Sequence, residues 1–158
     1  MNKITKIAIA LIVCLAVGYS ASTVTRPSVE AWYPTLIKPS FNPPNWIFMP
    51  VWTVLYIFMA VAAGLVWDKI KEQNEEVKKA LGFFLIQLAL NAIWSYLFFG
   101  LKNPLLAFIE IALLWLMIYE TYFKFVKINK IAGYLLIPYL VWVLFAGVLN
   151  ASIWWLNK

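Results

Sequence analysis

Histidine is absent from all 158 residues, cysteine occurs once, and acidic residues number only seven. Without imidazole there is no histidine-ligated zinc, no histidine axial ligand for haem, no Ser–His or Cys–His dyad and no histidine proton relay. The lone Cys14 excludes an intrachain disulfide and any Cys-x-x-Cys site. Charge of either sign is sparse, 13% against about 25% in soluble domains. What fills the chain instead is apolar: 64% hydrophobic and 18% aromatic, with a mean hydropathy of +0.81. That is the composition of an integral membrane protein. At roughly 20 apolar residues per bilayer-spanning helix, the length suits about five spans with short connections and no separate soluble domain.

Apolar runs bounded by charge, Pro or Gly place helices at about 4–25, 44–67, 80–99, 104–123 and 131–155. The expected fold is an all-α, five-transmembrane-helix bundle forming a single membrane domain over residues 1–158. Lys and Arg divide unequally between its two sides. Nine lie on the N-terminal side (Lys3, Lys6, Lys69, Lys71, Lys78, Lys79, Lys124, Lys127, Lys130) and four opposite (Arg26, Lys38, Lys102, Lys158). Because the richer side stays cytoplasmic, the N-terminus is expected inside, the C-terminus and first loop outside, in the cell membrane. The net charge of +6 is then a topology signal and not a nucleic-acid surface. Lys3 and Lys6, followed by an apolar stretch and small residues at Ser20, Ala21 and Ser22, also fit a cleavable signal peptide; cleavage would leave four helices.

Residues 26–43 form the longest connection, and six of the eight prolines (Pro27, Pro34, Pro39, Pro43, Pro44, Pro50) fall within residues 26–50. Proline fixes its own φ and extends the residue before it, so this loop is expected to be ordered. Long ordered loops are usually lids or binding loops; a rigid cap that only plugs the bundle is the alternative.

In lipid a polar side chain is costly unless it faces the bundle interior. In the third span Gln87, Asn91, Trp94, Ser95 and Phe98 share one helical stripe. The fifth repeats the pattern with Pro138, Trp142, Phe145, Leu149 and Asn150, and the second adds Trp52 and Tyr56 beyond a potential kink at Pro50. Aromatic walls with a few hydrogen-bonding groups describe a pocket for a flat apolar ligand. The same amides also serve as glue between transmembrane helices. Trp67, Trp154 and Trp155 read as interfacial anchors, Trp46 as anchor or pocket mouth, and Trp115 as a lipid-facing residue. Glu110, roughly 9 Å into the fourth helix at about 1.5 Å per residue, would bind a cation, relay a proton, pair with Lys102 or snorkel. Glu120 reads as interfacial and Cys14 as a packing residue. Ala60/Gly64 and Gly18/Ser22 are small-xxx-small pairs suited to helix association and a homodimer.

Several blocks then carry a family resemblance. They are Trp32-Tyr33-Pro34-Thr35-Leu36-Ile37-Lys38-Pro39 with Pro43-Pro44-Asn45-Trp46; Pro50-Val51-Trp52-Thr53-Val54-Leu55-Tyr56; Gln87-Leu88-Ala89-Leu90-Asn91-Ala92-Ile93-Trp94-Ser95 with Phe98-Phe99-Gly100; and Pro138-Tyr139-x-x-Trp142-x-x-Phe145-Ala146-x-x-Leu149-Asn150. Across essentially the whole chain the sequence resembles the translocator proteins, also called peripheral-type benzodiazepine receptors or tryptophan-rich sensory proteins, as a bacterial member. The resemblance implies a five-helix bundle, commonly dimeric. Its pocket beneath the first loop would accept porphyrins such as protoporphyrin IX, sterols in animal members, and isoquinoline or benzodiazepine-type drugs. By position, Trp52, Tyr56, Asn91, Trp94, Trp142, Phe145, Ala146 and Leu149 would line it, while Trp32, Pro43 and Pro44 would close its mouth. The sterol pattern of animal members needs a Tyr after the Leu-Asn pair and a nearby basic residue; here Ala151 follows Asn150 and the next basic residue is Lys158. A tetrapyrrole is therefore favoured over a sterol.

A porphyrin is a flat π-system that stacks on indole, and its propionates would meet Lys38 or Arg26. No cofactor is expected; porphyrin enters as ligand or substrate. Three functions follow. The first is a porphyrin-binding receptor, sensor or carrier. The second is a light- or oxygen-dependent porphyrin-degrading catalyst using Trp52 and Trp142, as some family members are reported to degrade porphyrin in light. The third is a porphyrin or small-lipid transporter. Binding is preferred because no acid–base, nucleophile or metal constellation is visible.

Overall fold

The computed structural model describes residues 1–158 and is all-helical. Helices α1 (Lys3–Ala31), α2 (Phe48–Asp68), α3 (Asn74–Ser95), α4 (Pro104–Ile128), α5 (Lys130–Tyr134) and α6 (Ile137–Leu156) build five apolar spans, the fifth made of α5 and α6 together. In the bilayer every backbone N–H and C=O must find its partner within the protein, which helices achieve internally.

Three of the helices, α1, α4 and α5, start where a short polar side chain satisfies one of the first free N–H groups. Asn2 Oδ1 accepts from Thr5 N (2.8 Å), Asn103 Oδ1 from Leu106 N (3.0 Å) and Asn129 Oδ1 from Ala132 N (3.1 Å). Pro104 opens α4, where its missing N–H has no role.

Several expected boundaries move. Arg26 and Pro27 do not close the first helix; α1 runs on to Ala31 with Pro27 inside it. Its last turns are held by Ser28, whose buried hydroxyl donates to the carbonyl of Phe99 on the neighbouring helix, and by Trp32 N donating to Ser28 O (2.9 Å). The expected polar turn 68–79 shrinks to residues 69–73, because Glu75 and Glu76 occupy the first turn of α3 and favour the helix dipole there. The fifth span is broken at Leu135 and Leu136: Pro138 lacks an N–H and its ring would clash with the Tyr134 carbonyl. Pro50 is the third residue of α2 and so falls in the first turn, where a missing N–H breaks no intrahelical bond. At the end of α3 the backbone widens into one π turn, Tyr96–Gly100, with Leu101 N donating to Tyr96 O (2.8 Å).

The main core joins Cys14 of α1, Leu55, Met59, Ala60 and Ala63 of α2, Phe84 and Leu88 of α3, Leu114 and Ile118 of α4, and Tyr139 of α6. α1 and α2 approach so closely that a Cβ on Gly64 would come within 2.7 Å of Ile7 Cα. Beside that crossing, Lys6 is buried and its ammonium pairs with Asp68 at 3.0 Å. Of the small-residue pairs suited to helix association, Ala60, Gly64 and Gly18 pack inside one chain, and Ser22 lines the cavity. Ala60 is fully buried and Gly64 faces Ile7, while Gly18 faces Tyr56.

Candidate ligand cavity

A cavity of about 430 Å³ opens between α1, α2, α3 and α6, a size within the ordinary range of small-molecule sites. The lining comes from α1 (Leu15, Gly18, Ser22, Thr25, Arg26, Val29, Glu30), the start of α2 (Phe48, Trp52, Tyr56), α3 (Asn91, Trp94, Ser95) with Phe98 of the π turn after it, and α6 (Trp142, Ala146, Leu149, Asn150). Tyr33 and Asn45 from the first connection complete the mouth. α4 and α5 contribute nothing to the lining and form the back of the bundle.

Two hydrogen-bond chains fix the wall. Tyr56 OH donates to Asn91 Oδ1 (2.8 Å), Asn91 Nδ2 donates to Tyr139 OH (2.6 Å), and Tyr139 OH donates to Gln87 Oε1 (2.8 Å). Higher on the wall, Trp94 Nε1 donates to Asn150 Oδ1 (2.9 Å) and Asn150 Nδ2 to the Pro104 carbonyl (2.8 Å). The amides are thereby satisfied by phenols, an indole and a backbone carbonyl, and join α2, α3, α4 and α6. The rings follow suit. Trp52 lies 5.9 Å from Tyr56 and edge-on to Tyr139 at 6.3 Å, Trp94 stacks on Phe98 at 5.3 Å, and Trp142 lies 6.0 Å from Phe48. One fully buried side-chain polar atom on this wall has no partner: Nε1 of Trp142.

Of the residues selected from the sequence, Trp52, Tyr56, Asn91, Trp94, Phe98, Trp142, Ala146 and Leu149 lie on the cavity wall. Gln87 does not. It is buried one turn below, accepting from Tyr139, with Nε2 3.9 Å from Met59 Sδ. Phe145 packs behind the wall against Trp142 (5.5 Å) and Phe41 (6.2 Å), and Trp32 packs edge-on to Phe98 at 5.6 Å. Pro43 and Pro44 lie in the loop outside the lining, and Pro138 is exposed.

The α1 face was missed because α1 carries no strong polar stripe. Its signal was a run of small residues, Gly18, Ala21, Ser22 and Thr25, on one face. A Cβ on Gly18 would fall 2.7 Å from the Tyr56 ring, so the glycine makes room for that ring. Tyr139 was missed because its own helix face is rotated one residue from the expected stripe.

The connection over the mouth is ordered. Short 3₁₀ turns, Tyr33–Thr35 and Asn45–Ile47, flank it. Tyr33 OH donates to Asn42 Oδ1 (2.8 Å). Burial pushes the Tyr33 phenol up to about 12, with the Asn42 contact pulling the other way, so it stays a neutral donor. Lys38 is consumed within the loop: Nζ donates to the carbonyls of Tyr33 (2.9 Å) and Leu36 (3.0 Å) and sits over the Tyr33 ring. Ile37 N donates to Asn157 Oδ1 (2.9 Å), and Asn157 Nδ2 donates back to Ile37 O (2.8 Å).

Glu110 is buried on α4 with both carboxyl oxygens unpartnered and forms no pair with Lys102, which is exposed in the turn after the π segment. Trp115 is not simply lipid-facing, since its Nε1 donates to the Leu140 carbonyl at 3.0 Å. Trp46 and Trp155 are exposed, 74% and 61%, as anchors at the membrane surface would be.

Residues 10–156 match the TspO/MBR family. The chain is 46% identical over 158 residues to the tryptophan-rich protein TspO of Chlorobaculum tepidum, covering 99% of each. It is 40% identical over 155 residues to the tryptophan-rich protein TspO of Archaeoglobus fulgidus, covering 98% of this chain and 99% of that one. Over 141 residues it is 35% identical to the translocator protein of Bos taurus, with 89% of this chain and 83% of the relative covered.

Proposed function

The chain belongs to the TspO/MBR family of multi-pass membrane proteins, and from that premise we propose that it is a receptor that binds protoporphyrin IX-like tetrapyrroles in the cavity between α1, α2, α3 and α6. Flat isoquinoline or benzodiazepine-type drugs occupy the same space. The observation that carries this reading is Trp142. Its indole lies on an aromatic wall beside Phe48, and its N–H is the one fully buried side-chain polar atom of the lining without a protein partner. A buried unmet donor costs about 1–3 kcal/mol, so a ligand that stacks on the ring and offers an acceptor relieves it. Trp52, Tyr56 and Trp94, already locked by their neighbours, supply rigid stacking surface at little cost in conformational entropy.

The protein works in the cell membrane as a homodimer, with its N-terminus cytoplasmic and the loop over the cavity outside. Titrating the purified protein with protoporphyrin IX tests the binding reading: saturable quenching of tryptophan fluorescence is expected, and its absence sinks the assignment. The same sample under illumination separates binding from conversion, because a new absorbing product would show the porphyrin to be a substrate.

A further inference from the structure

We infer that Arg26 is the anchor for an anionic group on the cavity's ligand, so that this site selects flat ligands bearing a carboxylate and holds them with that end toward the loop. The inference rests on the binding reading above and refines it.

Only Arg26 and Glu30, one helical turn apart in the last part of α1, bring charge to the cavity lining. They lie about 16 Å or more along the helix from Leu15, at about 1.5 Å per residue, so charge is confined to one end of an otherwise uncharged cavity. The four ion pairs in the protein involve neither of them. Arg26 is exposed and its guanidinium is free to take a carboxylate in a bidentate contact. Lys38, the other cation near the mouth, is committed to the Tyr33 and Leu36 carbonyls and lies off the lining. Position in the membrane agrees. α1 has 29 residues, about 43 Å at 1.5 Å per residue, against a hydrocarbon core of about 30 Å. Its Arg26 end therefore reaches the headgroup level, where an arginine and a carboxylate can both stay partly hydrated. Glu30 beside it opposes a second anion and limits how many acids the site tolerates.

The test compares protoporphyrin IX, a diacid, with its dimethyl ester, by tryptophan quenching of the full chain in zwitterionic nanodiscs. Arg26→Gln should weaken the diacid about tenfold, as loss of a charged hydrogen bond predicts, and leave the ester unchanged. Arg26→Lys should restore part of the loss, Glu30→Gln should tighten the diacid, and added salt should weaken the diacid in the unmutated protein but not in Arg26→Gln. An equal shift for diacid and ester, or no shift for either, overturns the anchor while leaving the binding reading intact. Failure of both porphyrins to quench the unmutated protein overturns the binding reading and the anchor with it. A thermal melt shows whether Arg26→Gln is folded; Arg26→Glu, which reverses the charge at the same exposed position, should weaken the diacid further and keeps the question open to refutation if the first variant fails to fold.

Discussion

Asn91 is the residue on which the site turns, because its amide serves two helices at once: it accepts from Tyr56 of α2 and donates to Tyr139 of α6. Asn91→Leu leaves the Tyr56 hydroxyl without its acceptor while Tyr139 keeps Gln87, and should cost about 1–3 kcal/mol, read as a lowered unfolding midpoint in detergent. Gln87 separates architecture from binding. From its place on the third-span stripe it looked like a ligand contact, yet it is buried below the cavity against Tyr139 and Met59. Gln87→Leu should lower stability and leave porphyrin affinity unchanged in a quenching titration. Trp142→Phe should do the reverse, keeping the fold and an aromatic ring but losing the free N–H, for a drop of about three- to tenfold in affinity. Polarity in an apolar helix reveals which face is inward; it does not reveal whether the polar group answers a neighbour or a guest. That is why Gln87, Asn91 and Trp94 looked equivalent in the sequence.

At the scale of the element, the spans were legible because a bilayer demands long apolar runs, and their ends were not. Arg26-Pro27 reads as a stop, but Ser28 finds the Phe99 carbonyl across the interface and α1 continues past it. Pro138 reads as part of a wall, but it starts a helix and is exposed. In the first case a contact with another helix, invisible to local pattern, decides the outcome; in the second, proline's own missing N–H does. The α1 face went unread for the first of these reasons: its small residues matter only through what approaches them. Gly64→Val should force α1 from α2, destabilising the protein by about 1–3 kcal/mol as overpacking does. It should also weaken the Lys6–Asp68 contact beside it. Gly18→Val, by displacing the Tyr56 ring, should reduce ligand capacity more than stability.

For the whole molecule, lysines gather at one end of the bundle, in the α2–α3 turn, the end of α4 and the start of α5. A reporter inserted in the 69–73 turn should be cytoplasmic and one after Lys158 external; the opposite pattern would refute the orientation. The paired hydrogen bonds between Ile37 and Asn157 join the loop over the mouth to the last turn of α6, across 120 positions of sequence. A loop that opens to admit a ligand must first release Asn157, a single side chain outside the cavity lining. Asn157→Ala should change how long a ligand stays more than how well it fits. Stopped-flow quenching would show faster entry and faster release together, with the ratio of the two rates nearly preserved.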